Sequence, residues 1–334
     1  MDLELLRERS KIIRQVRSFF DSRDYLETDT PLLSPDLIPE SCLEVFQTLR
    51  LSPKGSQTPD KPCWLVPSPE IWMKRLIAQH RVNLYQICKC FRNGESSGRW
   101  HSPEFTMLEY YTMQADYMDS LKLTEELFAF LLGDMKKNGN EREELSPPFI
   151  KITMEEAFSR WAGFDLYKAA ESPPTMEEEA RKLGLCPPTG LSVPELYDLI
   201  FIHAVEPNLK LERPVAIIDY PAFVPCLAKK GSGGKTREKT VERWELYARG
   251  IELANCYSEE TSAEEVRAFF ESEKAIKEKD ALVPHKTDDD YWKLFSSREK
   301  PFPECSGAAL GLDRLIMLLT GRQTIDGVLP FPAF

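Results

Sequence analysis

The chain predicts an α+β protein with a mainly antiparallel sheet flanked by helices. Three observations carry that prediction. Apolar alternation marks strands that follow one another as hairpins, at 83–92 with 104–111 and across 241–257. Helical patterns fall between these pairs without the regular β-α-β order of a parallel sheet. No internal repeat points to a solenoid or propeller.

In chain order, Leu5, Ile12, Ile13, Val16, Phe19 and Phe20 lie at helical spacing and predict a first amphipathic helix. A short extended piece follows and ends at Asp29-Thr30-Pro31. Residues 50–62 are rich in Pro, Ser, Lys and Gly and read as a loop. Trp64-Leu65-Val66 reads as a short strand. Ser68-Pro69-Glu70 then starts a helix, with serine as N-cap, proline in the first position and an acid in the first turn. Residues 117–136 are helical in pattern. Thr153 and Glu156 have capping-box spacing before a helix through Trp161. Two more helical stretches, broken by Pro187-Pro188, form a helical insertion around 170–212. Val215-Ala216-Ile217-Ile218 is strand-like. Ala308-Ala309-Leu310-Gly311-Leu312 runs into a helix at Asp313-Arg314.

At 334 residues the chain can bury a full core. A net charge of −11 argues against broad phosphate-driven nucleic-acid binding. No apolar run is long enough to span a membrane, and the first residues lack a secretory apolar core. Eight scattered cysteines suit buried free thiols in a reducing cytoplasm better than a disulfide framework. Cys88 and Cys90 form C-x-C with no matching pair, and the four histidines are dispersed, so neither predicts a zinc site.

Three stretches carry candidate chemistry. In FRNGESSGRWHSPEFTMLEYY (91–111), Arg92 stands where a strand meets a Gly/Ser loop. Its planar fork suits a pair of phosphate oxygens, although a surface arginine beside a long hairpin loop reads the same way. In RWELYARGIELANCYSEE, Glu245 and Glu252 could face each other across a hairpin and hold a hard cation, with Asn255 and Glu259 following. A solvated acidic face is the alternative, against which stand Trp244, Leu246, Ile251 and Leu253. In CSGAALGLDRLIMLLTG, small residues would let a flat ligand approach the backbone. Asp313 would cap the helix, and Arg314 would sit in the first turn, where a cation opposes the helix dipole unless it faces an anion. Residues 229–236, KKGSGGKT, miss the P-loop pattern at Lys229, and no apolar helix follows; a mobile basic loop fits better.

Together these stretches resemble the class II aminoacyl-tRNA synthetases. Asp29-Thr30-Pro31 looks like motif 1, Phe91-Arg92 through Glu104-Phe105 like motif 2, and Gly311-Leu312-Asp313-Arg314 like motif 3. Ser68-Pro69-Glu70, HSPEFTMLEYY and GIELANCYSEE look like the substrate pocket of the lysine branch. Only about thirty residues precede motif 1, too few for an anticodon-binding OB-fold. The chain therefore resembles the short paralogues, the elongation factor P–lysine ligases, which also carry alanine at the position of Ala309. It departs from the pattern at Ser102, usually Asn, at Cys256, usually Gly, and in a motif 2 loop one residue longer.

The resemblance implies a single catalytic domain over 1–334 without anticodon recognition, acting as a cytoplasmic homodimer. It implies activation of lysine or β-lysine with ATP and Mg²⁺ as an adenylate, then transfer to a lysine of elongation factor P. Arg92 and Arg314 would be catalytic. Arg92, Asn93, Glu95, His101, Ser102, Glu104, Phe105, Glu252, Leu253, Gly311 and Arg314 would bind ATP. Glu245 and Glu252 would hold the metal. Ser68, Pro69, Glu70, Tyr111, Asn255, Glu259 and Ala309 would bind the amino acid, with Glu70 on the reactive-side ammonium and Glu259 and Tyr111 on the distal one. Two other readings share these residues: a catalytic-domain-only enzyme acting on tRNA or a small amine, and a non-catalytic regulatory paralogue. The second predicts loss of the arginines or acids, all of which are present.

Overall fold

The computed structural model describes residues 3–94, 98–137, 139, 141–231 and 239–332. The chain divides into two compact units, residues 1–115 with 259–334, and residues 116–258.

The first unit opens with the predicted helix, Leu3–Asp21 (α1). Its apolar stripe is buried at Leu5, Ile12, Val16, Phe19 and Phe20. Burial of each such side chain stabilises by about 1.5–3 kcal/mol. Leu26–Glu27 (β1), Leu33–Ser34 (β2), Gln47–Arg50 (β3), Lys61–Leu65 (β4), Glu70–His80 (α2), Leu84–Phe91 (β5) and Glu104–Met113 (β6) follow. The predicted 50–62 loop is the shorter tip of the β3–β4 hairpin, because pairing extends to Arg50 opposite Lys61. β2, β4 and β3 make a small sheet over Leu37, Val45, Trp64 and Val66. α2 starts one residue later than expected. Pro69 takes the cap position, while the Ser68 hydroxyl accepts from Glu70 N at 3.3 Å.

The second unit holds Tyr117–Lys137 (α3), Ile150–Thr153 (β7), Met154–Ala157 (α4), Leu166–Ala169 (α5), Pro173–Lys182 (α6), Val193–Ile200 (α7), Val215–Pro221 (β8), Thr240–Ala248 (β9) and Ile251–Ser258 (β10). The Thr153–Glu156 capping box forms as predicted and starts α4. α4 runs on through a π-turn at Phe158–Ala162. Strand order is β10-β9-β8-β7, antiparallel except for the β7–β8 pair. Met154, Phe158, Leu196, Tyr197 and Ile200 from the helices pack with Val215 and Ile217 as one core. Arg249 and Gly250 both take positive φ, +55° and +76°, in the two-residue turn that joins β9 to β10.

The chain returns to the first unit as Ala263–Asp280 (α8), Cys305–Gly311 (β11) and Leu312–Leu319 (α9). Strand order there is β1-β5-β6-β11; β1 runs parallel to β5, and the other pairs are antiparallel. α1 covers one face of this sheet. Phe20 stacks on Tyr85 at 4.9 Å and leans on Tyr110 at 5.1 Å.

Candidate functional site

Strand parity decides what faces the opposite side of that sheet. Residues directly paired across strands point the same way, and alternate residues share a face. Tyr85 and Tyr110 are one pair, committed to α1. The opposite face therefore carries Gln86, Cys88, Cys90 and, extending the parity, Arg92 from β5 and the loop after it. It carries Phe105, Met107, Glu109 and Tyr111 from β6, and Gly307, Ala309 and Gly311 from β11. β11 contributes only small side chains here, glycine or alanine at each of the three positions. Gly307 sits opposite Tyr111, and Ala309 opposite Glu109.

One end of the floor is built for an anion and a flat ring. The Arg92 guanidinium carbon lies 5.3 Å from the centre of the Phe105 ring. The Arg92 backbone N–H donates to Pro103 O at 3.0 Å, which ties the two arms of the 91–105 hairpin. Asn93 spends its side chain on the backbone, donating to Val45 O at 3.2 Å and accepting from Gly94 N at 2.9 Å. Ser102 is buried and donates to Glu104 O at 2.8 Å. Glu104 is exposed and lies 3.3 Å from Lys89 Nζ. His101 N approaches Gly98 O at 3.4 Å. Glu95 lies outside the described residues. Arg314 occupies the first turn of α9, and its Nε donates to Trp100 O at 3.1 Å.

Asp313 is not the cap expected of it. Gly311 holds that position, and no side chain caps the helix. The Asp313 carboxylate is buried instead, accepting from Thr106 N at 2.6 Å and pairing with Arg9 at 2.6 Å.

The other end is a cluster of acids around one ammonium. Lys74, 1% exposed, reaches Glu70 at 2.5 Å and Glu259 at 2.6 Å. The Tyr111 hydroxyl donates to Glu109 Oε1 at 2.7 Å. Glu109 Oε2 is buried without a hydrogen-bond partner among the described residues. Burial and then the Glu70 charge push the Glu109 carboxyl well above its ordinary range, against the pull of Tyr111 and Lys74. Burial raises Glu259 to about 8, opposed chiefly by Lys74. The unmatched Glu109 oxygen is chemically suited to a ligand ammonium. Gly307 sits against the cluster: a Cβ there would overlap Glu259 Oε1 and the Tyr111 ring.

The sequence reading missed Lys74, Glu109 and Gly307. Glu70 and Lys74 have the i,i+4 spacing of a helix ion pair, and Glu109 shares the parity of Phe105 and Tyr111. Both signals were present.

In the second unit the acids are arranged differently from expectation. Glu245 pairs with Asn255, and Glu252 with Tyr247, across a bulge between Glu252 and Ala254. Glu245 and Glu252 are thus diagonal, not opposite. Glu245 already accepts from Arg243 at 2.6 Å and from Tyr247 OH at 2.7 Å. Arg243 Nε also donates to Asn255 Oδ1 at 3.1 Å. The Leu253 side chain is buried. Glu259 does not belong to this hairpin; its N–H donates to Cys305 O at 2.9 Å in the first unit. Among the described residues no group of three or more His, Cys, Asp or Glu is arranged to hold a metal. A lone carboxylate pair fits Mg²⁺ that arrives with substrate phosphates, not a resident ion.

The cysteines also differ in part from expectation. All eight are free, but Cys42 and Cys186 are exposed, and Cys88 and Cys226 only half-buried.

The family model of the class II tRNA synthetases (D, K and N) matches residues 3–334, and the chain belongs to that family. Within the class, the chain is similar to elongation factor P–(R)-β-lysine ligases almost end to end. It is 34% identical to that of Avibacterium paragallinarum over 329 residues, 98% of this chain and 95% of the relative. It is 34% identical to the ligase of Proteus mirabilis over 331 residues, again 98% and 95%. The Vibrio atlanticus ligase matches at 34% over 335 residues, 99% and 96%. That similarity over nearly the whole of both chains places this one among the elongation factor P–lysine ligases. No helix among the described residues is long and apolar enough to cross a membrane.

Proposed function

We propose that this protein is an AMP-forming ligase of the cytoplasm. It activates lysine or β-lysine with ATP and transfers the aminoacyl group to a lysine side chain of elongation factor P. The observation that carries the reading is the polarity of the floor. A guanidinium and an aromatic ring stand at one end, and a buried acid with an unpartnered oxygen stands at the other.

In the first step the substrate carboxylate attacks the α-phosphorus, and pyrophosphate leaves. Positioning and charge neutralisation supply most of such catalysis. Arg92 holds the α-phosphate and the substrate carboxylate, and Phe105 stacks on adenine. Arg314, anchored through Trp100 O, holds the terminal phosphate. Asn93, Ser102 and Glu104 shape the hairpin through their backbone contacts. The resemblance assigns His101, Gly311 and Leu253 to ATP binding, and Glu95 as well, which lies outside the described residues. By the resemblance, Glu245 and Glu252 would hold Mg²⁺, which would supply neutralisation of phosphate charge. Ser68 and Pro69 set the start of α2, so that Glu70 meets the reactive-side ammonium. Glu259 and Tyr111, with Glu109, take the distal ammonium; Asn255 and Ala309 complete the amino-acid contacts. In the second step the acceptor amine attacks the adenylate carbonyl and AMP leaves. We read residues 3–334 as a catalytic domain of the class II synthetase type. We also expect a homodimer, since Leu26 and Leu33 flank motif 1 with their side chains exposed, each on the edge strand of a different sheet.

Intact-mass analysis of purified elongation factor P tests this reading. With enzyme, ATP, Mg²⁺ and (R)-β-lysine or lysine, one aminoacyl mass is expected on the acceptor, and none with Glu70→Gln. Charging of tRNA with elongation factor P unmodified would contradict it.

A further inference from the structure

The sheet floor holds a second cluster that the adenylation reading does not use. Cys88 Sγ lies 3.8 Å from Cys90 Sγ, and Cys90 Sγ lies 3.9 Å from Met107 Sδ. Strand geometry makes this arrangement. Cys88 and Cys90 are alternate residues of β5, and Met107 is the direct cross-strand partner of Cys88. Three sulfurs therefore share one face. Cys90 and Met107 are buried, and Cys88 is half-buried, the most exposed of the three.

We propose that Cys88, Cys90 and Met107 form a binding site for a soft monovalent metal ion, copper(I) by chemical class. Two thiolates and a thioether are the donors that select Cu(I) over harder ions. A trigonal ion with metal–sulfur bonds of about 2.3 Å, as in a zinc–thiolate bond, needs sulfurs about 4 Å apart, which the Cys88–Cys90 and Cys90–Met107 spacings match. No set of three or more His, Cys, Asp or Glu is available among the described residues, which disfavours zinc and other borderline ions at this place. Binding converts both thiols to thiolates and releases their protons, with no change of oxidation state. Two thiolates and one Cu⁺ leave a single negative charge, and Arg92 is the cation on the same sheet face as Cys90. Glu109 is the acid facing the same group. A disulfide between the two cysteines is less suited to the strand. Alternate Cα atoms stand about 6.6 Å apart there, near the upper limit for a bridge.

The metal would sit on the face that carries Arg92 and Phe105, so an occupied site draws Arg92 away from the phosphate. That consequence rests on the proposed function; the binding itself does not. Purified full-length protein is titrated with Cu(I) under ascorbate, against bicinchoninate as competing chelator. One equivalent is expected to transfer. Cys90→Ser is expected to lower affinity at least tenfold, Met107→Leu several-fold, and the exposed-cysteine variants Cys42→Ser and Cys186→Ser not at all. Circular dichroism confirms that each variant is folded; Cys88→Ser serves where Cys90→Ser is not. Wild-type affinity in folded Cys88→Ser or Cys90→Ser and Met107→Leu, or loss of binding in Cys42→Ser or Cys186→Ser, would overturn the site. Amino-acid-dependent ATP–pyrophosphate exchange is read alongside. Copper is expected to suppress it in the wild type and to spare Cys90→Ser.

Discussion

Lys74 sets the electrostatics of the acid cluster residue by residue. One buried ammonium serves Glu70 and Glu259 together, and Glu109 stands nearby with an oxygen unmatched. The free protein therefore keeps a proton on this cluster, with Glu259 at about 8. An ammonium ligand docks on a carboxylate, so that proton must leave first. Below about 8, affinity for a diamine is expected to rise with pH by up to tenfold per unit, and to level off above it. The substrate side-chain amine, near 10.4, keeps its charge over that window. The opposite sign holds for the unliganded fold. A carboxyl raised from 4.5 to about 8 retains its proton when folded and loses it when unfolded, so its contribution to stability falls as pH rises between those values. Titration calorimetry with lysine and β-lysine at several pH values checks the binding slope. A flat profile, or one that falls as pH rises toward 8, would count against this assignment of the cluster.

Elements bring these residues together through two close fits. The first is the tie between α1, β6 and α9. Arg9 pairs with Asp313 and donates to Thr106 Oγ1 at 2.9 Å, while Asp313 accepts from Thr106 N. Removing one partner of a buried pair strands the other, at a cost of about 3–5 kcal/mol. Arg9→Met is expected to lose about that much in urea denaturation, and the Arg9→Met/Asp313→Asn double variant distinctly less than the sum. Strict additivity would show that the pair does not act as a unit. The second fit is β11 against the acid cluster. A methyl at Gly307 has no space beside Glu259 and Tyr111. Gly307→Ala is expected to raise KM for the amino acid at least tenfold while KM for ATP changes less than twofold. Equal changes in both constants would indicate a general disturbance of the sheet.

At the scale of the whole molecule, a net charge of −11 opposes docking of a polyanion and is compatible with a protein acceptor. The sequence foretold what depends on near neighbours. α1 follows from its apolar stripe, and α4 from the Thr153–Glu156 box. Three things depended on distant partners or on register and were not legible. Asp313 looked like a cap because its partner, Arg9, lies at the far end of the chain. Glu245 and Glu252 looked opposed because a bulge between Glu252 and Ala254 leaves no sequence signal strong enough to read. Glu259 looked like a third acid of that hairpin until Lys74 claimed it. Arg92 and Arg314 were legible from their places at a strand–loop junction and in a first helical turn, and Phe105 by resemblance.

The most direct measurement is amino-acid-dependent ATP–pyrophosphate exchange with purified protein and Mg²⁺. It would use a panel of amino acids that includes lysine and (R)-β-lysine, with Arg314→Ala as control. The expected result is exchange confined to lysine-like diamines and lost in the variant. Exchange with monoamino acids at comparable rates, or exchange that persists in Arg314→Ala, would contradict a site that couples an anion clamp to a buried acid cluster.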